Sequence, residues 1–293
     1  MSNAIEVIKF FQNEWARSKK IAIFLFSLMF AIFLLAAIMI EDKFEANALL
    51  KYSDEDSSNS FSSNGGTLGG LAAITGIGMS GSTIDPIDYS IAVIKSRDFL
   101  ARLLKYPGMK ENLSIASSFD RQTNKILYKK RFYDASSKQW KKDIKFLRIH
   151  RKYYLKNLTL TKDRSTNLLT ISFRHVSPVF AKEILDIIIL ELNQTVRAIE
   201  LEDSEKKLQF LIDKTSSTNN NEVRDALGKL IEAELKNIVF SSTRVDYLLQ
   251  KIDPPYIPHR AKFPNRPLLI LLGIISGLAL SASYLAIRSF RRP

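Results

Sequence analysis

Cysteine is absent from this 293-residue chain. That excludes disulfides, thiol catalysis and thiolate metal sites. It suits a domain in an oxidising compartment, where a stray thiol would pair. Histidine is scarce: His150, His175 and His259 stand apart without ligand spacing, so no metal site is expected. No G-x-x-x-x-G-K-[ST] loop occurs, which excludes a fused kinase domain of that type. No catalytic residue is assigned and no cofactor is expected. Candidates such as Asp203 and Glu205 fall on charged helical faces, where solvation is the default. Acidic residues are outnumbered, 30 against 43 Lys and Arg, for a net charge of +13.

What the chain does have is two uncharged hydrophobic runs at its extremes, Ile21–Ile40 and Leu268–Ile287. Each is about 20 residues, the length a helix rising ~1.5 Å per residue needs to cross a ~30 Å hydrocarbon core. The expected organisation is a tail (1–20), a first transmembrane helix (21–40), a large loop domain (41–267), a second transmembrane helix (268–287) and a short tail (288–293). Both tails read as too short to fold. Arg17, Lys19 and Lys20 precede the first run, Glu41 and Asp42 follow it, and Arg288, Arg291 and Arg292 follow the second. Basic flanks stay in the cytoplasm, so both termini are expected inside and the loop outside. The first run is too long for a secretory h-region and no small-x-small cleavage site follows it, so it reads as a retained anchor. The loop keeps a net charge of roughly +8. A basic extracytoplasmic domain suits anionic headgroups, lipid diphosphates or acidic glycans. Nucleic acid is not an expected partner on that side.

Phe44–Tyr52 reads as a strand directly after the first span. Residues 53–82 are dense in Ser, Gly, Asn and Asp and read as a loop. Gly76-Ile77-Gly78-Met79-Ser80-Gly81 spells G-x-G-x-x-G, but a Gly-rich loop precedes it where a dinucleotide site needs a strand. Asp85-Pro86 is an N-cap followed by proline at the first helical position, with Ile87, Ile91 and Ile94 on one face. Ser96 caps a second piece, Arg97–Leu104, which Tyr106-Pro107-Gly108 ends.

Residues 121–156 are basic with interleaved aromatics, and Trp140, Ile144, Leu147 and Arg148 suggest an amphipathic helix. Leu158–Thr161 and Leu168–Arg174 read as a hairpin around Asp163–Asn167. Ser177-Pro178 starts a helix expected to reach about Lys214, on the order of 55 Å. A second helix, about Glu222–Val239, packs back on it. Tyr247–Lys251 reads as a closing strand. Asp253 to Pro258 and then Pro264-Asn265-Arg266-Pro267 lead into the second span.

This order of pieces resembles the Wzz-type chain length determinants, the polysaccharide co-polymerases of bacterial inner membranes. The resemblance runs over nearly the whole chain. It rests on the two terminal spans, Gly69-Gly70-Leu71-Ala72, Ser96-Arg97-Asp98-Phe99-Leu100, the strand before Ser177-Pro178, and the proline-rich approach. It implies a membrane-anchored α+β protein: two transmembrane helices flanking a periplasmic α/β base (about 41–176 and 244–256) with a long projecting helical arm (about 177–243). It further implies a homo-oligomeric ring that acts without catalysis. Such a ring sets the modal length of a glycan, O-antigen-like, made by a membrane-embedded Wzy-type polymerase from lipid-linked polysaccharide. The arm is shorter than is usual in that family, and Pro255 stands where a small residue is commoner. An alternative is a capsule or exopolysaccharide export component, or an adaptor for a separate tyrosine kinase.

Three sets of residues are candidates for function. Gly273 and Gly277 form a G-x-x-x-G in the second span, where small residues let helices approach closely. Their partner is the first span, a neighbouring protomer or the polymerase. Pro254, Pro255, Pro258, Pro264, Asn265, Arg266 and Pro267 form a stiff, non-helical strut, because each proline fixes φ near −65° and restrains the residue before it. Lys141, Lys142 and Lys145 are candidate contacts to an anionic glycan or lipid.

Overall fold

A computed structural model describes residues 2–53, 85–243 and 246–290, with side chains for 20–53, 85–243, 246–284, 286 and 287. In chain order its elements are α1 (Ser2–Met39), β1 (Phe44–Tyr52), α2 (Pro86–Lys95), α3 (Arg97–Leu103), α4 (Met109–Ile115), β2 (Ala116–Asp120), β3 (Lys125–Tyr128), β4 (Tyr133–Asp134) and β5 (Gln139–Trp140). There follow α5 (Phe146–Arg148), a π-helical turn (Ile149–Tyr154), β6 (Leu158–Asp163), β7 (Leu168–His175), α6 (Pro178–Ser217), α7 (Asn221–Thr243), β8 (Leu249–Asp253) and α8 (Arg266–Phe290). The Gly69–Ala72 segment and the G-x-G-x-x-G at Gly76–Gly81 lie outside the described residues. The chain divides into two units, Met1–Phe44 with Arg260–Pro293, and Glu45–His259.

The first unit is a hairpin of α1 and α8. Both are long and apolar enough to cross a membrane, over Lys20–Met39 and Arg266–Tyr284. The N-terminal 20 residues, expected to be too short to fold, are instead helical and continuous with the span from Ser2 onward. The reason is local. Residues 2–20 hold neither Pro nor Gly, so a helix nucleated in the span propagates at one backbone bond per residue.

The second unit is built on a four-stranded sheet of order β6-β7-β1-β8. β6 and β7 pair antiparallel from Leu158↔Phe173 to Asp163↔Leu168, and β1 and β8 pair antiparallel from Leu49↔Asp253 to Tyr52↔Leu249. Side chains alternate across a strand. So Leu169, Ile171 and Phe173 of β7, and Phe44, Ala46, Ala48 and Leu50 of β1, all lie buried. The first half of α6 packs on β7 and buries Phe180, Ile184, Leu185, Ile188, Leu192 and Val196. Each large apolar side chain so removed from water stabilises the fold by about 1.5–3 kcal/mol.

Caps set the helix starts. The Asp85 carboxylate accepts from Ile87 N (2.8 Å), the Ser96 hydroxyl from Phe99 N (3.1 Å) and the Ser177 hydroxyl from Phe180 N (3.2 Å). Burial alone would raise the Asp85 pKa. The Lys162 ammonium, 3.0 Å away, and the helix N–H groups outweigh that and hold it below the usual value. Beyond Val196, α6 buries only Ser204, and α7 folds back along it after the 218–220 connection.

The basic stretch departs from the amphipathic helix expected around Trp140. Trp140 ends the hairpin β4–β5, paired with Tyr133, and helix begins only at Phe146. Two local features select the hairpin. The Asp134 carboxylate accepts from Ser136 N (3.0 Å), a turn of its own. The Tyr133 and Trp140 rings meet edge to face at 5.5 Å across the strands.

Candidate functional site

The glycine pair of the second span faces the first. In α8 the buried positions recur every four residues: Gly273, Gly277 and Ser281. A Cβ added at Gly273 would lie 2.8 Å from Phe33 Cβ, and one at Gly277 would lie 2.8 Å from Phe26 Cδ2 and 3.2 Å from the Phe26 carbonyl oxygen. As the α8 number rises the α1 number falls, so the two helices run antiparallel. Only hydrogen fits where the phenyl rings of α1 enter. Ala22 and Ala37 are buried on the same helix as these rings. The opposite face of α8 exposes Leu268, Leu271, Leu272, Ile275 and Leu278, as a lipid-facing surface requires.

Just outside the spans the hairpin is tied by contacts that the spacing of residues in the sequence does not announce. Lys43 N donates to Phe263 O (2.7 Å) and Lys262 N donates to Lys43 O (2.8 Å). Arg266 Nη2 meets Asp42 Oδ1 at 2.9 Å. Arg266, read from sequence as part of a stiff strut, thus has a carboxylate partner within its own unit. Asn265 is the N-cap of α8: its side chain accepts from Leu268 N (3.4 Å) and its carbonyl from Leu269 N (3.0 Å). Pro267 follows in the first turn, where a missing N–H costs nothing. Pro264 is buried and the Phe263–Pro264 bond is cis. In the second unit Pro255 and Pro258 are buried and Pro254 is exposed.

β8, which leads into that proline segment, is an edge strand. Where it begins, its backbone is bonded by one side chain, Asn193 of α6. Asn193 Oδ1 accepts from Leu248 N (2.8 Å) and Leu249 N (2.9 Å), and its Nδ2 donates to Leu249 O (3.0 Å). The carboxamide behaves as one further residue of strand, pairing an edge that would otherwise stay open. Sequence inspection passes over it, because Asn193 sits inside an apolar helical run with nothing to mark its partner 56 residues away.

The basic candidates separate from one another. Lys141 Nζ lies 3.5 Å from Asp134 Oδ2. Lys142 and Lys145 are exposed and have no ion-pair partner among the described residues. Lys145 is the residue immediately before α5. From there Phe146, His150 and Tyr154 stack in sequence, with ring centroids 6.5 Å and 6.2 Å apart. His150 Nε2 donates to Lys95 O and the Tyr154 hydroxyl to Ile94 O, each at 2.9 Å. Burial pushes the Tyr154 phenol far up, so it stays a donor at all working pH. These two bonds pin the turn to the last carbonyls of α2.

Where the long helices leave the base, Glu200 of α6 is largely desolvated, which raises its carboxyl pKa; Asp203 and Glu234 add to the rise and Lys207 opposes it. Tyr89 of α2 is raised in turn, first by burial and then by the Glu200 charge. Among the described residues no group of three or more His, Asp and Glu could hold a metal ion.

No protein-family model and no curated protein matches this chain. Its structure is similar to that of a full-length bacterial polysaccharide co-polymerase: identity 12%, coverage 96% of this chain and 98% of that one, TM-score 0.40. It is also similar to a fragment of WzzB, a polysaccharide co-polymerase from Salmonella Typhimurium, at 13% identity over 76% of this chain and 100% of that one, TM-score 0.33. A mutant of the Shigella flexneri lipopolysaccharide O-antigen chain-length regulator matches at 12% identity over 75% of this chain and 100% of that one, TM-score 0.22.

Proposed function

We propose that the chain is a non-enzymatic scaffold of a bacterial inner membrane that regulates the chain length of a surface polysaccharide, O-antigen-like, made by a membrane-embedded Wzy-type polymerase. Both termini lie in the cytoplasm on this reading, and the Glu45–His259 unit lies in the periplasm. The observation that carries it is the order of parts in one chain. A span leads directly into the first strand of a four-stranded sheet. Two long helices are inserted before the last strand. That strand returns through a proline-rich approach to a second span.

Self-association belongs to the same proposal. Beyond the buried first half of α6, α6 and α7 expose Ile199, Phe210, Ile212, Val239 and Phe240, more apolar surface than solvated helices need. A second copy is the partner that would cover it, and repetition around a closed ring buries it on every protomer. The proline segment and the Gly273–Gly277 hairpin would then pass ring geometry to the polymerase.

Deleting the gene and resolving the surface polysaccharide on gels tests the reading. A lost modal length with polymer still made supports it. Loss of all surface polymer would point instead to export. An unchanged profile would refute it.

A further inference from the structure

Residues 144–162 hold no acidic residue, yet they carry Lys145, Arg148, Arg151, Lys152, Lys156 and Lys162. Only Lys162 is neutralised, by Asp85 and Asp88 at 3.0 Å each. The other five are exposed and have no ion-pair partner among the described residues. On α6 and α7, Lys182, Lys206, Lys207 and Lys236 each pair with an acid four residues away, at 2.6–2.8 Å. From Lys145 to Lys156 the rise is about 16 Å, so neighbouring charges fall within a Debye length of ~8 Å and repel. Such an array is complementary to a chain of negative charges.

The array is also held still. Ile144, Ile149, His150 and Tyr154 form the opposite side of the same segment and are buried. The bonds of His150 and Tyr154 to α2 fix its backbone. Arg151 and Lys152 project from a π-helical turn, with Arg148 just before it and Lys156 just after. A preorganised array binds with less ordering cost than flexible lysines would.

The same burial leaves no apolar side free to insert into a bilayer. A helix that lies on a membrane inserts its apolar side among the acyl chains. Here that side is already in the protein core, and Leu147, 48% exposed, is the single large apolar residue left outside. What remains is charge with two guanidinium groups, which suit carboxylates as paired donors.

We propose that Lys145, Arg148, Arg151, Lys152 and Lys156 form a docking face for an acidic polysaccharide, one with carboxylates on its repeating sugars. The choice of a glycan among polyanions rests on the function proposed above.

The test uses the full chain in uncharged detergent, with polygalacturonate as the probe, dextran as the neutral control and phosphatidylglycerol vesicles as the competing surface. Wild type should bind polygalacturonate and not dextran, more weakly as salt rises. The quadruple variant Lys145→Ala, Arg148→Ala, Arg151→Ala, Lys152→Ala should bind at least about tenfold more weakly, or 1.4 kcal/mol, with a shallower salt dependence. Lys206→Ala with Lys207→Ala, which removes paired cations, should bind like wild type. Arg148→Lys with Arg151→Lys keeps the charge and should retain most of the binding, which separates charge from folding. Equal polygalacturonate binding by wild type and the quadruple variant overturns the proposal. So does a loss confined to the vesicles. Gene deletion that leaves the surface glycan unchanged would refute the proposed function and leave this binding result standing.

Discussion

Replacing Asn193 with leucine should loosen the last strand of the base. The two side chains share heavy-atom count and branching, and Asn193 is only 3% exposed, so the larger leucine opens no cavity. What it removes is three hydrogen bonds to the edge of β8, at 2.8, 2.9 and 3.0 Å. Leu248 N, Leu249 N and Leu249 O would then be buried opposite a hydrocarbon. A buried polar group left without a partner costs about 1–3 kcal/mol. Three adjacent groups relax together, so a total of about 3–5 kcal/mol is expected, a large share of the 5–15 kcal/mol typical of a domain. Asn193→Asp keeps an acceptor for both N–H groups but loses the donor and sets a buried carboxylate oxygen against Leu249 O, so it should also lower stability. The assay is urea unfolding of the full chain in detergent, in a Trp15→Phe background so that Trp140 is the sole tryptophan. A lower midpoint with an unchanged slope reports stability itself. A leucine variant within about 1 kcal/mol of wild type would refute the reasoning, because it would mean that water or another group satisfies the strand edge.

Gly273→Leu with Gly277→Leu places side chains where a Cβ already meets Phe33 and Phe26 at 2.8 Å. Overpacking of this kind costs about 1–3 kcal/mol. The variant should insert normally but lose hairpin packing, read as weaker cross-linking between engineered cysteines on α1 and α8. Pro258→Ala, Pro264→Ala and Pro267→Ala together should broaden the glycan length distribution on gels while the oligomer mass stays intact; an unaltered distribution would reduce the prolines to ends of elements. Glu200→Gln should raise the melting temperature at neutral pH, because burial lifts the carboxyl pKa and penalises the charged form in the folded state. The sign follows from linkage: the native state binds more protons between the unfolded and the raised folded pKa, so the wild-type penalty grows as pH rises through that window. The gain should vanish below pH 4, where both states are protonated.

Much of the fold could be read from the chain because its signals are local. Phe44–Tyr52 alternates with period two, Asp85-Pro86, Ser96 and Ser177-Pro178 are caps, and Asp163–Asn167 is a turn; each depends on residues within a few positions. Residues 121–156 misled for the same reason. Interleaved cations and aromatics suit a helix or a pair of hairpins, and the cross-strand Tyr133–Trp140 contact that decides between them exists only after pairing. The N-terminal tail misled differently: alone it is too short to fold, but it extends a helix already begun. Of the candidate sites, the G-x-x-x-G was visible as spacing while its partners Phe26 and Phe33 were not. The Asp42–Arg266 tie spans 224 positions, and Asn193 meets a strand 56 residues on. Contacts at such separations leave no periodicity to detect.

The central claim is that this chain sets polysaccharide length. Its most direct test is the length distribution of the surface glycan in a deletion strain, with and without the wild-type chain restored at its native level. Restoration should convert a broad, unimposed distribution into one with a defined modal band, while the total amount of polymer stays similar. Identical distributions with and without the chain would contradict the account.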